Sequence, residues 1–422
     1  MKRLFALLLA VVMVLSMAAC GKNDPENATP DTPTATPDQA TEPVDTTEPT
    51  TFIPEIGEGI FSRTSYTAAD QELVDNGDVV VATMEDRTLT VGELQVYYWM
   101  NVYNFLNQYG YYLSYFGLDL ALPLDQQQCP ETGGTWQQYF LDMALASWKD
   151  YQSLTLAGEA ANTPMNADMK EELDNLKTNL EKSLAESEHE SLDAMLQADL
   201  APGITFDAYQ GYLQVYYMGY SYYSTTADAI EVTDAMIEDY FNRHQEDLAK
   251  EEITKEKGKV VDVRHILVSV EGGTTDEEGN TTHTDEEWAT CEKDAQAILD
   301  QWLAGDATEE SFGQLASICT DDPGSKETGG LYEGVKTGDM VKEFDAWCFD
   351  ESRKVGDYGL VTTDYGCHVM YYCGDEALWI SRSRDGAKEE KIAEFVTAAA
   401  EAYPATIDYE KLMVGHVNLA AE

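Results

Sequence analysis

The segment Val263-Arg264-His265-Ile266-Leu267-Val268 is typical of a β-strand, and Tyr365-Gly366-Cys367-His368-Val369-Met370 is a second such segment further along the chain. Each contains one histidine among apolar residues. Since side chains alternate between the two faces of a strand, each histidine shares a face with an apolar residue two positions away. Over 260–373 the pattern predicts a strand, two helices, a short strand, a helix and two further strands. This order indicates an α+β domain with a small antiparallel sheet.

Four motifs follow one another in this region. They are Arg264-His265-Ile266-Leu267, the acidic glycine-rich loop 320–330 (TDDPGSKETGG), the segment 338–344 (GDMVKEF), and Thr363-Asp364-Tyr365-Gly366-Cys367-His368. In this order they resemble the parvulin type of peptidyl-prolyl isomerase, and the resemblance extends over residues 260–375. It implies that the chain is an enzyme that catalyses cis–trans isomerisation of X–Pro peptide bonds.

The resemblance also implies roles for individual residues at the active site. His265 and His368 would be the paired imidazoles behind the active-site floor, and Asp322 would face the substrate carbonyl. Thr363 and Tyr365 would supply side chains to the same hydrogen-bond network. These five residues are therefore the expected catalytic set.

The substrate proline is expected to lie in an apolar pocket. The resemblance places Met340 and Phe344 in the wall of this pocket, with Leu331 or Tyr332 nearby. Gly-Gly-Leu-Tyr-Glu at 329–333 departs from the family's Gly-Gly-Asp-Leu-Gly, so the wall after the loop is altered. No basic cluster follows the first strand, and a preference for phosphoserine before proline is therefore not expected.

The expected chemistry needs no strong nucleophile. Rotation about a peptide bond has a barrier of about 18–20 kcal/mol that is set by amide resonance, and no covalent bond breaks. The enzyme must bind the ring and stabilise the twisted amide better than the planar one. We therefore expect no cofactor, and the spacing of the cysteines and histidines indicates no metal site.

The first twenty residues have the pattern of an export signal. Lys2 and Arg3 precede an apolar run from Leu4 to Leu15, and Ser16-Met17-Ala18-Ala19-Cys20-Gly21 follows. The cysteine behind small residues resembles a bacterial lipobox, which predicts lipidation of Cys20. An ordinary cleaved signal with a chance cysteine is the alternative. The expected location is the extracytoplasmic face of a bacterial cell membrane, with a Gram-positive source favoured.

Residues 21–74 are predicted to be a disordered linker, because 22–58 is rich in Thr, Pro, Asp and Glu and has few large apolar side chains. The whole chain has 78 acidic and 26 basic side chains and a formal net charge of −52. A polyanion of this kind is repelled by nucleic acid, so DNA or RNA partners are excluded.

Residues 75–257 are predicted to be a mainly α-helical domain. A strand at 79–84 is followed by Thr90 and Glu93, which have the spacing of a helix-capping box. Tyrosine-rich stripes at 97–109 and 212–223 have two interpretations, packing between helices or a cradle for unfolded peptide. The isomerase domain is assigned to 258–376, and 377–422 to a helix at 386–402 and a strand at 412–419 that pack on the helical domain. We expect this tail to pair with the strand at 79–84.

The signal, lipid cysteine, helical domain and tail together resemble the PrsA foldase lipoproteins, and the helical part is similar to the chaperone region of SurA. The fold class expected is α+β, with a parvulin domain inserted in or following a SurA-like helical domain. The resemblance implies a membrane-anchored foldase whose partners are unfolded or partly folded exported proteins with X–Pro bonds. A homodimer is left open.

Two other functions remain open at this stage. One is a chaperone, or holdase, in which the parvulin domain is catalytically weak or inactive. The other is a solute-binding lipoprotein, which predicts two lobes with parallel sheets. The helix-rich pattern from 94 to 245 speaks against the second.

Overall fold

A computed structural model describes residue 61 and residues 63–275 and 281–420. The predicted signal, Cys20 and most of the predicted linker lie outside the described residues. The prediction of disorder is wrong for the last part of that linker, where Tyr66 and Leu73 are buried in a hydrophobic core. Of the described residues, those up to Ile230 and from Lys391 onward form one compact unit, and Glu231–Glu390 form a second. The second unit is thus inserted in the sequence of the first.

The first unit is mainly helical. Its elements are α1 (Asp70–Asp75), β1 (Val80–Met84), β2 (Arg87–Thr90), α2 (Val91–Tyr109), α3 (Trp136–Ala161), α4 (Ala167–Ala185), α5 (Leu192–Asp199), α6 (Phe206–Asp228) and β9 (Thr406–Ile407). Helix α2 begins at the predicted capping box, in which the Thr90 hydroxyl accepts from the Glu93 N–H and the Glu93 carboxylate accepts from the Thr90 N–H. This prediction is confirmed.

The aromatic stripes of α2 and α6 pack with α3 in the core of the first unit. Rings of Tyr97 and Tyr212 lie 4.8 Å apart, and those of Tyr151 and Tyr216 lie 5.1 Å apart. All four residues are buried. The packing interpretation is therefore confirmed for Tyr97, Tyr212 and Tyr216, and a cradle for peptide built from these three rings is wrong.

The C-terminal tail returns to β1 as expected, but through a different segment. Strand β9 pairs antiparallel with β1, with Ala82 opposite Ile407. The predicted strand at 412–419 is wrong. Val414 makes a single parallel β-bridge with Thr67. On the other side of this segment, the buried amide of Gln95 donates to the Met413 carbonyl and accepts from the Gly415 N–H, so a side chain takes the hydrogen bonds that a second strand would take.

The second unit combines helices with a four-stranded sheet. Its elements are α7 (Asp234–Lys250), β3 (Lys259–Val268), β4 (Thr274–Thr275), β5 (Thr281–Thr282), α8 (Asp285–Leu303), α9 (Glu309–Cys319), β6 (Leu331–Val335), α10 (Lys342–Cys348), β7 (Tyr358–Thr363), β8 (Gly366–Ala377) and the start of α11 (Leu378–Ala402). The expected α+β class is confirmed. Helix α11 starts earlier than the predicted 386, and 231–257 and 377–390 fall in this unit because Phe241 and Leu248 of α7 pack against Trp379.

The strand order is β6-β3-β8-β7, and all three pairings are antiparallel. One face of the sheet carries Ile266 and Val369, which pack against α8 and α9. The opposite face carries Val263 and Met370, which pack with Phe344 of α10. Both histidines lie on this second face, because they alternate with the residues that face α8 and α9.

Gly330 joins the acidic loop to the sheet and tolerates no side chain. Its φ is +74°, and an added Cβ would collide with the carbonyl oxygen of His265 and lie 3.0 Å from the Cβ of Ala316. Gly334, in β6, has a φ of +66° and nothing within 4 Å of an added Cβ. A comparison of alanine substitutions at these two glycines therefore distinguishes the cost of backbone strain from the cost of a steric collision.

We expect Gly330→Ala to lower the free energy of unfolding of the second unit by about 2 kcal/mol or more, because it adds a collision to the strain of a left-handed alanine. Gly334→Ala should cost only the strain, about 1 kcal/mol. Calorimetric unfolding of the full chain measures both values. Equal losses for the two variants would contradict the collision.

Candidate active site

The two predicted histidines are diagonal neighbours on adjacent strands. In the pairing of β3 with β8, His265 lies opposite Met370 and Leu267 lies opposite His368. Diagonal side chains on one face of a sheet lie within reach of each other. The two Nδ1 atoms are 3.0 Å apart, and both side chains are buried. The sheet register thus produces an imidazole pair.

The diagonal continues across all four strands of the sheet. On β7, Val361 lies opposite His368, which places Thr363 at the next diagonal position; its Oγ1 is 2.8 Å from the His368 Nε2. On β6, Tyr332 lies opposite Val263, and its ring stacks on that of His265 with centroids 5.2 Å apart. Tyr332, His265, His368 and Thr363 therefore form one continuous row, hereafter the polar row.

Asp322 lies beside the polar row, and its Oδ2 is 3.0 Å from the His265 Nε2. The same oxygen accepts from the Tyr332 hydroxyl at 3.0 Å, from the Ser325 N–H at 3.1 Å and from the Ser325 hydroxyl. The other oxygen, Oδ1, accepts from the Gly324 N–H at 3.2 Å. Oδ2 is thus surrounded by donors, whereas Oδ1 keeps acceptor capacity.

Asp322 is positioned by the loop that follows α9. The Thr320 hydroxyl oxygen accepts from the backbone N–H groups of Asp322 and of Leu267 on β3, at 3.2 and 3.1 Å. On the far side of the loop, the Gly330 carbonyl accepts from the His265 N–H at 2.8 Å. The loop is therefore attached to β3 on both sides of the site.

These contacts determine the direction of every hydrogen bond in the row. An ionised carboxylate only accepts, so the His265 Nε2–H donates to Asp322. When both imidazoles are neutral, each has one donor and one acceptor, so the His265 Nδ1 accepts from the His368 Nδ1–H. The His368 Nε2 then accepts from the Thr363 hydroxyl, whose oxygen accepts from the Tyr365 N–H at 3.2 Å.

The pKa values agree with this direction. The hydrogen bond from His265, followed by those from Ser325 and Tyr332, holds the pKa of Asp322 well below its usual range. Burial, followed by the neighbouring His265, lowers the pKa of His368 to about 4. Burial, followed by the hydrogen bond to Asp322, raises the pKa of Tyr332 to about 12. At neutral pH the site thus combines an ionised Asp322 with a neutral His368 and a neutral Tyr332.

An apolar wall stands beside the imidazole pair. The ring of Phe344 lies edge-on to both imidazoles, with centroid distances of 5.4 Å to each and interplanar angles of 83° and 84°. Phe344 is buried, and the partly buried Met340 packs in the same cluster. Apolar contact and the polar row thus adjoin at Phe344.

Two of the predicted site residues are placed differently from expectation. Leu331 lies opposite Arg264 in the pairing of β3 with β6, on the face away from the histidines, because it is adjacent to Tyr332 in an alternating strand. Tyr365 contributes its backbone N–H rather than its side chain, since it occupies the exposed turn between β7 and β8 and is 62% exposed.

Ser325 was missed by the sequence interpretation, although it is fully buried and contacts both Asp322 and His265. A signal was present in the segment Asp322-Pro323-Gly324-Ser325. Asp at the first position and Pro at the second favour a turn in which the carboxylate accepts from backbone N–H groups further along. That geometry places Ser325 against Asp322.

Residues 247–373 match the family model described as the PPIC-type PPIase domain. These residues are a peptidyl-prolyl cis–trans isomerase domain of the parvulin type. The match covers both imidazoles, the acidic loop and Phe344. No curated protein matches the chain.

Solved structures similar to this chain include PrsA from Bacillus subtilis, with 18% identity over 66% of this chain and 90% of that one and a TM-score of 0.33. NmPin, the parvulin of Nitrosopumilus maritimus, has 24% identity over 28% of this chain and 98% of that one, with a TM-score of 0.19. A SurA-like chaperone from Campylobacter jejuni has 19% identity over 77% and 94%, with a TM-score of 0.23. All three scores are below 0.5, so the isomerase assignment rests on the family match.

Within the described ranges, no group of three or more His, Cys, Asp or Glu side chains is placed to hold a metal ion. In the same ranges, no helix has both the length and the apolar character needed to cross a membrane.

We expect the isomerase unit to lose stability as the pH falls from about 6.5 to about 4. His368 has a lowered pKa in the folded state, so in this window the unfolded chain binds a proton that the folded chain does not, and stability rises with pH. The 6.5-to-4 difference corresponds to about 3 kcal/mol over the window. Denaturant unfolding at several pH values measures it.

His368→Gln provides the comparison, because it removes the titrating group and should flatten the slope in this window. An NMR titration of the wild-type imidazole checks the cause directly, since its signal should remain that of a neutral ring down to about pH 4. A midpoint near 6.5 would contradict the burial effect.

Proposed function

We propose that this protein is an extracytoplasmic, membrane-anchored foldase that isomerises X–Pro bonds in exported proteins and assists their folding. The observation that best supports isomerase activity is the polar row. Its hydrogen bonds run in one direction toward the ionised carboxylate of Asp322, which lies beside an apolar wall. Unfolded or partly folded exported chains are the proposed substrates.

The proposed mechanism uses the charge of Asp322 against amide resonance. A planar amide carries partial negative charge on its oxygen, and this charge falls as the bond twists. A carboxylate near that oxygen therefore destabilises the planar form more than the twisted form, which lowers the barrier. Asp322 Oδ1 is the oxygen available for this role, since Oδ2 is occupied by four hydrogen bonds.

The remaining residues of the site have supporting roles in this proposal. Phe344, Met340 and the ring of Tyr332 bind the proline ring by apolar contact. The imidazole pair and Thr363 keep the Asp322 carboxylate oriented with bonds that need no rearrangement when the substrate twists. Replacing one of the two histidines or Thr363 alters the orientation of Asp322 without removing its charge.

Support for export and anchoring comes from residues 2–21. The basic start, the apolar run and the small residues before Cys20 are the pattern of a lipoprotein signal. Attachment of two or more acyl chains to Cys20 is enough for stable membrane binding. The polar, proline-containing stretch behind it would hold the folded units away from the membrane surface.

Neighbouring aspartates offer a matched test of the mechanism. Asp322→Asn keeps the shape and removes the charge, so we expect kcat/KM for a short proline peptide to fall by about tenfold or more. Asp321→Asn should leave it within about twofold, because the Asp321 carboxylate accepts from the Ser269 N–H instead of from the polar row. Coupled-protease or NMR exchange assays measure both. Unchanged activity in Asp322→Asn would contradict this mechanism, whereas a wild-type chain that does not accelerate isomerisation of the peptide would favour a holdase.

Anchoring is tested separately from catalysis. In a bacterial host that processes lipoproteins, the wild-type chain should incorporate radiolabelled palmitate and sediment with membranes. Cys20→Ser should lose the label and appear in the soluble extracytoplasmic fraction, with unchanged activity on the short peptide. Label retained in Cys20→Ser would contradict lipidation at this residue.

A further inference from the structure

The segment that follows α2 exposes three tyrosines within five residues. Tyr111 is 100% exposed, Tyr115 is 86% exposed and Tyr112 is 64% exposed. Tyrosines at 97, 212, 216 and 217 of the same unit are almost fully buried. Large aromatic side chains that remain exposed together usually mark a surface for binding. We call Tyr111, Tyr112 and Tyr115 the tyrosine surface.

The tyrosine surface is attached to the aromatic core by a chain of ring contacts. Tyr115 packs edge-on against Phe116 at 5.6 Å, and Phe116 contacts Phe105 of α2 at 5.7 Å. Phe105 in turn contacts the buried Trp136 at the start of α3, at 5.5 Å. Exposed rings on such a support lose little conformational entropy on binding, because part of their backbone is already held.

The stretch of sequence that contains the tyrosine surface has carboxylates and no basic side chain. Residues 88–148 contain five Asp or Glu and no Lys, Arg or His. Asp119 and Glu131 are exposed, and Gly117 lies against Pro130, which brings the residue before Glu131 beside the segment. Aromatic faces attract cations, and the nearby carboxylates add long-range attraction for the same charge.

We propose that the tyrosine surface binds extended, unfolded polypeptide segments in which Lys or Arg alternates with apolar residues. This inference deepens the proposed foldase function by naming the class of client segment and a second place where it docks. A second copy of this chain is a poor occupant, since two bodies with a formal charge of −52 repel each other. Acidic client segments are disfavoured for the same reason.

The test uses the full chain and two fluorescein-labelled, proline-free, unstructured peptides with the same aromatic residues. One peptide carries Lys and Arg, and the other carries Asp and Glu at those positions. Because neither contains proline, binding to the tyrosine surface is measured apart from the isomerase site. Fluorescence anisotropy should give a Kd at least tenfold lower for the basic peptide, and added salt should weaken its binding.

Three variants locate the site. Replacing Tyr111, Tyr112 and Tyr115 together by Ser should weaken binding of the basic peptide at least tenfold and leave isomerase activity on a short proline peptide unchanged. Val74→Ser, an exposed apolar residue of the same unit, should change neither. The double variant Asp119→Asn with Glu131→Gln should weaken binding of the basic peptide, although all three tyrosines are still present.

The proposal is overturned by any of three results. Equal binding of the basic peptide by the wild type and the triple tyrosine variant would exclude the tyrosine surface. Equal affinity for the two peptides would exclude the selection by charge. A wild-type dimer in sedimentation that the triple variant abolishes would make a second copy the occupant. Loss of isomerase activity in Asp322→Asn has no bearing on these outcomes, so the foldase proposal can fail separately.

Discussion

The hydrogen bond from the His265 Nε2–H to the Asp322 carboxylate determines the arrangement of the rest of the site. Because Asp322 is ionised, His265 has to donate to it, and with both imidazoles neutral each later bond in the polar row then has one direction. The row extends through His368 and Thr363 to the backbone N–H of Tyr365. A single charged acceptor thus orders side chains on three strands. A protonated Asp322 would allow both directions, and the two imidazoles would no longer have defined tautomers.

The sheet register explains why such a row can form, and it also shows what sequence reasoning could predict. Alternation within each strand placed His265 and His368 on apolar-facing positions, and the motif order identified Asp322, Thr363 and Phe344. The pairing of strands could not be read from the sequence. The sequence does not decide whether Leu331 or Tyr332 lies at the site. The pairing of β6 with β3 places Tyr332, and not Leu331, on the face that carries the histidines. Tyr365 was expected to act by its side chain, although its contribution is a backbone group that any residue except proline provides.

The tail shows a related limit. The residues at 412–417 are mostly apolar, as in a buried strand, yet Val414 makes a single bridge there, Gln95 binds the backbone on the other side, and the short strand Thr406–Ile407 pairs with β1 instead. A side-chain amide that replaces a strand partner has no periodic signal. Tyrosine has the same ambiguity in the first unit, where the residue type predicts neither burial nor exposure. Tyr212 and Tyr216 repeat at helical spacing and lie in the core. Tyr111 and Tyr115 follow the end of α2 and are exposed to solvent.

The charges of the two proposed sites differ in a way that separates their responses to salt. Asp322 is largely enclosed by hydrogen bonds to Ser325, Tyr332 and His265, and buried pairs are screened little by ions. Asp119 and Glu131 are exposed to solvent, where the screening length is about 8 Å at physiological ionic strength. Rising salt should therefore weaken capture of a basic segment well before it affects rotation of a proline bond. In the two proposals together, client segments bind at a surface where solvent ions weaken the attraction, and their proline bonds rotate at a site where the hydrogen-bonded charge is screened less.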